Sequence, residues 1–136
     1  MRPSNDRLVM TRLWLDDERD PAEWLPHIRW MRGRPAEDFE GWIWAKTAQE
    51  AIDMLATGEV TIASLDHDLG DEAIVGDGNQ VLLWLDERSF LDEDFPIPEV
   101  HVHSSNTGAR PRMELAVAAM ERRRSERAAN DVRPPE

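Results

Sequence analysis

Three short runs in this sequence hold the residue types that can do acid–base or metal chemistry, and each run follows an apolar segment. Asp16-Asp17 ends Leu8 to Leu15, Asp66-His67-Asp68-Leu69-Gly70 ends Val60 to Leu65, and His103-Ser104-Ser105-Asn106 ends the alternating Val100-His101-Val102. Two adjacent aspartates cannot both stay ionised in a dry pocket, because desolvation and mutual repulsion would protonate one of them. A divalent cation removes that conflict. Asp16, Asp17, Asp66 and Asp68 supply hard oxygen ligands suited to Mg²⁺ or Mn²⁺, with waters completing an octahedron. Taken singly, these aspartates read equally well as caps of the helices and turns that follow. A third acid on a second strand end favours the cation. An EF-hand calcium loop is excluded, because no glycine and closing glutamate fall at the required spacing after Asp66.

His67 and His103 are the candidates for proton transfer, each beside groups that can orient an imidazole, with Asp66 as a possible nucleophile. Ser104, Ser105, Asn106 and Gly108 offer hydroxyl, amide and backbone N–H donors ahead of a helix, where a phosphate can be held, and Arg110 adds a cation. Their plain alternative is capping that helix. His101 shares its alternation with His103, so one of the two can be packed in the sheet, and His27 has no partner in the pattern.

The elements that must position these residues alternate in type. Leu8 to Leu15, Gly41 to Ala45, Val60 to Leu65 and Val100 to His103 read as strands. Asp20-Pro21-Ala22-Glu23 has an N-cap acid and a proline at the first helical position, so a short helix starts there and breaks near Pro26; Arg29 to Pro35 reads as irregular. Thr47-Ala48-Gln49-Glu50 is a capping box ahead of a helix that Gly58 stops. A further helix runs from Asn79 to about Phe90. The last begins between Thr107 and Arg112 and frays into Arg122-Arg123-Arg124, leaving residues 1–124 as one domain and 125–136 as a flexible tail. Strands alternating with helices imply a small, doubly wound α/β fold with a parallel sheet in the order 2-1-3-4. Ligands bind such sheets beyond the carboxyl ends of the strands, where all three polar runs fall.

Composition narrows the rest. The chain has 136 residues, a net charge of −12 and no cysteine, so one core is expected, and neither a disulfide framework nor a thiolate metal site is available. No apolar run near the N-terminus is long enough for a signal peptide or membrane span, which points to a cytoplasmic setting. The acidic balance opposes broad nucleic-acid binding, so a polynucleotide contact has to be local, such as an RNA end, and a phosphate-containing small molecule is the other expected ligand. Most of the six tryptophans are expected in the core.

At three motifs the chain resembles the cyclic-phosphate-processing receiver-like domains, relatives of the two-component receivers. They are LWLDDERDP from Leu13 to Pro21, SLDHDLG from Ser64 to Gly70 and VHVHSSN from Val100 to Asn106, and the resemblance spans roughly Leu8 to Met120. It implies a receiver-like (flavodoxin-like) three-layer sandwich. It also implies a phosphoesterase acting on cyclic phosphates, either 2′,3′-cyclic RNA ends or small cyclic nucleotides, with these positions forming the site. The chain departs from a two-component receiver: no fifth strand follows, and its single lysine, Lys46, sits on the second strand, so the lysine that steadies a phosphoryl group has no counterpart. Arg110 or Arg112 can stand in for it. The rival readings are a non-catalytic receiver-like signalling or adaptor module, and an acidic inhibitor that binds a basic partner.

Overall fold

A computed structural model describes residues 11–70, 76–103 and 108–131. Strand β1 (Thr11–Leu15) leads into helix α1 (Pro21–Trp24), where Asp20 Oδ1 accepts a hydrogen bond from the Ala22 N–H at 2.8 Å and Pro21 occupies the first turn. Three 3₁₀ turns follow, Leu25–His27, Arg29–Met31 and Ala36–Phe39, before β2 (Trp42–Ala45). Pro26 does end the α-helical hydrogen bonding, but the chain coils on as 3₁₀ turns, one of them inside the stretch expected to be irregular. Helix α2 (Ala48–Ala56) starts with both halves of the Thr47–Glu50 capping box, and Gly58 leaves it at a positive φ of 74°.

Strand β3 (Val60–Leu65), helix α3 (Gly78–Leu91), strand β4 (Glu99–Val102) and helix α4 (Arg110–Asp131) complete the order. The sheet is parallel and runs β2-β1-β3-β4, as the alternation predicts. Helix α4 does not fray at Arg122–Arg124, and the expected tail from 125 is helical as far as Asp131. The cause is side-chain anchoring. Arg123 donates to Asp86 Oδ1 at 3.0 Å and Ser89 Oγ at 2.6 Å, and Arg127 donates to the Phe95 carbonyl at 2.9 Å and to the Ser89 carbonyl. Arg123 and Arg127, expected in a fraying end and a tail, tie α4 to α3.

Strand alternation divides the core in two. Leu13, Leu15, Ala63, Leu65, Val100 and Val102 face α2, α3 and α4 and pack with Leu55, Val81, Leu85, Met113 and Met120. Among the described residues the opposite face is covered by the 3₁₀ segment: Trp14, Leu25 and Met31 are buried, with Trp30, Phe39, Trp42 and Trp44 around them. The β1-to-β2 crossover runs one way along the sheet and the β2-to-β3 and β3-to-β4 crossovers run the other, so right-handed connections put them on opposite faces, which accounts for the third layer. Polar residues are tied into that second face. Arg34 pairs with Glu99, and Glu99 Oε2 lies 2.6 Å from the His101 ring, which stacks on Trp30 at 3.8 Å. Among the described residues no helix is long and apolar enough to cross a membrane.

Candidate active site

The last rungs of the ladder bring three side chains to one level. Leu15 is in register with Leu65, and Leu65 with Val102, so the next residues, Asp16, Asp66 and His103, leave the sheet together. Backbone bonds hold them there: Asp66 N–H to the Leu15 carbonyl at 2.9 Å, His103 N–H to the Leu65 carbonyl at 3.0 Å, and Asp16 N–H to the Ala45 carbonyl at 3.1 Å.

Asp16 is the most enclosed of these acids, with a side chain 1% exposed. Its Oδ1 accepts the backbone N–H groups of Glu18 and Arg19, each at 2.9 Å, and its Oδ2 lies 3.0 Å from His103 Nε2. Burial pushes the Asp16 carboxyl upward, but the hydrogen bonds from His103, Arg19 and Glu18 outweigh it, and the net pKa is lowered from 3.8. Asp16 is therefore a carboxylate. The other nitrogen of His103, Nδ1, is 2.8 Å from Ser64 Oγ, and the ring lies flat on Trp14 at 3.9 Å and 3°. Its side chain is 1% exposed; the residue as a whole counts as half-buried because its backbone, not its ring, faces out. Trp44 supports the same corner by donating its indole N–H to the Asp16 carbonyl at 2.7 Å.

Ligand atoms of Asp16, Asp66 and His103 all lie within 4.8 Å of one another. Two buried carboxylate groups and an imidazole at that spacing fit one divalent cation. With Nε2 of that imidazole on Asp16 and Nδ1 on Ser64, the two carboxylates are the ligands at hand and His103 holds Asp16 in place behind them. Asp17 and Asp68, also expected as ligands, are placed elsewhere. The Asp17 carboxylate lies beside Gly70, and the Asp68 side chain is 64% exposed and engaged with His67.

His67 sits at the mouth. Its backbone N–H donates to Asp66 Oδ1 at 2.8 Å, its carbonyl accepts the Gly78 N–H at 3.0 Å, its Nδ1 is 2.8 Å from Asp68 Oδ1, and its Nε2 is 3.6 Å from Asp77 Oδ2. Asp77 also caps α3, accepting from Gln80 N–H at 2.8 Å. The cap brings Gly78 against the strand end so closely that a Cβ there would lie 1.9 Å from the Asp66 carbonyl oxygen. Only glycine fits. His67 lines a pocket of about 220 Å³ together with Asn79, Gly108, Ala109, Arg112 and Met113.

Ser104, Ser105 and Asn106 lie outside the described residues. Arg110 is directed away from this pocket: it pairs with Glu114 at 2.8 Å and lines a broad groove along β4 with Trp30 and His101. The arginine at the His67 pocket is Arg112. Asn79, Ser64 and Asp77 were not legible as site residues, although Ser64 is a polar residue on the otherwise apolar C-terminal half of β3, which is a signal in itself.

A family model described as a cyclic-phosphate processing receiver domain matches residues 11–119. No curated protein and no solved structure matches the chain.

Proposed function

This chain belongs to the cyclic-phosphate-processing receiver family, and from that premise we propose that it is a metal-assisted phosphoesterase that opens a cyclic phosphodiester. The substrate class is a 2′,3′-cyclic RNA end or a small cyclic nucleotide. The observation that carries the reading is the convergence of Asp16, Asp66 and His103 at one level of the sheet, beside a half-buried histidine. Mg²⁺ or Mn²⁺ held there would offset the charge that develops on the phosphoryl oxygens and lower the pKa of a bound water.

The chain's own residues do the rest. Asp16 stays ionised because His103 and two backbone N–H groups hold it, so it can ligate without titrating. The ring of His103 has both nitrogens engaged and acts through Asp16, which leaves direct proton exchange with the substrate to His67. In hydrolysis a water oxygen bonds to phosphorus and its proton passes to solvent, one ring P–O bond breaks, and the departing ribose oxygen takes a proton. His67, oriented by Asp68 at 2.8 Å, is the group at the mouth able to supply it. A phosphorelay role is not favoured, since the ammonium of Lys46, just past the end of the outer strand β2, lies over the Trp44 ring at 4.4 Å.

The test is product formation. The full chain is incubated with 2′,3′-cyclic nucleotides in millimolar Mg²⁺ or Mn²⁺, and the monoester is followed by phosphorus NMR. Turnover abolished by chelator is expected. No monoester with either metal, from a panel including 3′,5′-cyclic nucleotides, overturns the reading in favour of an adaptor module.

A further inference from the structure

We propose that Arg112 and Asn79, with the His67 ring, form a phosphate-binding subsite beside the Asp66 strand end. The inference rests on the cyclic-phosphate reading above and assigns it residues outside its three motifs. The pocket they line holds about 220 Å³, below the roughly 300–1,000 Å³ of sites that enclose a whole drug-sized ligand. It therefore takes a group, such as one phosphate, with the rest of a nucleotide outside.

Arg112 is the main reason. It lies in the first turn of α4, which holds no acid, and a cation there opposes the helix dipole. Arg110, in the same turn, is offset by Glu114 four residues on. Arg112 has no such partner: the residues three and four ahead are Leu115 and Ala116, and its guanidinium makes no hydrogen bond or ion pair among the described residues. An arginine that works against its own helix and sits in a pocket wall has a fork of donors available for a phosphate. Asn79, in the first turn of α3, adds an amide from the other wall and likewise has no side-chain partner among the described residues.

The acids argue for this division of labour. Asp16 and Asp66 on one side repel a phosphate unless a cation intervenes, so anchoring the anion falls to donors on the other side. His67 joins the two halves: its backbone N–H is on Asp66 Oδ1 and the residue lines the pocket.

Inorganic phosphate, titrated calorimetrically into the full chain with Mg²⁺ present, is the probe. Arg112→Gln is expected to weaken binding about tenfold or more, Asn79→Ala several-fold, and Arg112→Lys to an intermediate degree because lysine keeps the charge but not the fork. Arg122→Gln, the same charge change farther along α4, is the control. Unaltered binding by Arg112→Gln, an equal loss in Arg122→Gln, or no phosphate binding by the parent overturns the proposal. Arg112→Gln should melt no lower than the parent, so a folding defect cannot imitate the result. The two readings separate cleanly. Arg112-dependent phosphate binding without turnover of any cyclic phosphate keeps the subsite and removes the phosphoesterase. Turnover with an unchanged KM in Arg112→Gln does the reverse.

Discussion

His103 Nε2 lies 3.0 Å from Asp16 Oδ2, joining the end of β4 to the end of β1 across the intervening β3. The same ring meets Ser64 of β3 through Nδ1 at 2.8 Å, so one imidazole ties three strand ends. Its role is first to keep a buried carboxylate charged and aimed.

His103→Ala should therefore be costly for stability, unlike a substitution at an open catalytic residue. It leaves the Asp16 carboxylate buried with one partner fewer and opens space against Trp14. Leaving a buried carboxylate short of a hydrogen-bond partner costs about 1–3 kcal/mol or more. Urea denaturation measures it, and a loss under about 1 kcal/mol would contradict the pairing, being no more than a surface ion pair contributes.

Removing a bound metal should lower the melting temperature. A cation at 100 times its dissociation constant adds about 2.7 kcal/mol by mass action. Asp66→Asn should abolish the difference between chelator and millimolar Mn²⁺. In chelator the variant should melt at or above the parent, because one of two neighbouring carboxylates becomes neutral. Identical melting of the parent in chelator and in metal removes the site.

Much of this arrangement was legible, and the part that was not has a common cause. The parallel order followed from alternating elements and apolar runs that stop at acids, and the capping box at Thr47 marked α2 within a residue. What periodicity does not carry is which residues of a run point together. Asp16 and Asp17 are equivalent in sequence, but β1 pleats so that Asp16 continues the buried row while Asp17 turns toward Gly70. Arg110 and Arg112 likewise lie two positions apart, and about 200° of helical turn separates their faces. Arg123 falls where the helix was expected to fray and Arg127 in the expected tail, because their partners on α3 are distant in sequence.

Gly78→Ala tests how tightly α3 is set against the strand end. The new Cβ would lie 1.9 Å from the Asp66 carbonyl oxygen, a backbone atom that cannot rotate aside. The variant should lose about 1–3 kcal/mol or more, as overpacked sites do. It should also lose metal-induced stabilisation, since Asp66 or His67 has to move. A variant with parental melting and metal response would show that this close approach does not set the site.

Acid sensitivity should begin with His101. Burial is the largest influence and lowers its pKa from 6.5; the Glu99 hydrogen bond and charge oppose this, Arg34 reinforces it and Glu121 opposes it. With the folded value depressed, the unfolded chain binds the proton first, so stability falls as pH drops below 6.5 toward the folded value. Glu99 acts later in the same direction. Burial pushes it up, but Arg34 and His101 hold it below 4.5 on balance, so its contribution is present above 4.5 and is lost as pH falls through the folded value. His101→Phe retains an aromatic ring against Trp30 and removes the first stage. Urea midpoints at about pH 7.5 and about pH 5.5, on either side of an ordinary histidine titration, should fall further in the parent than in the variant. Equal falls would assign the early acid loss to another group.

His67 separates an enzyme from a binding module, because its backbone is structural and its ring is not. The N–H and carbonyl of residue 67 hold Asp66 and Gly78 whatever the side chain, and the ring, 19% exposed, meets Asp68 and Asp77 at the mouth. His67→Ala should accordingly fold, bind metal and melt close to the parent. Turnover of a cyclic phosphate should drop about 10²- to 10⁴-fold, the range expected when a positioned proton donor is lost. Imidazole added in solution should restore part of that rate, since the pocket wall beside Asn79 and Arg112 leaves the space the ring vacates. A purely structural histidine would show the opposite pattern, a lowered melting temperature and no rescue. Parental turnover by a stably folded His67→Ala would exclude the ring from the chemistry and leave proton transfer to solvent.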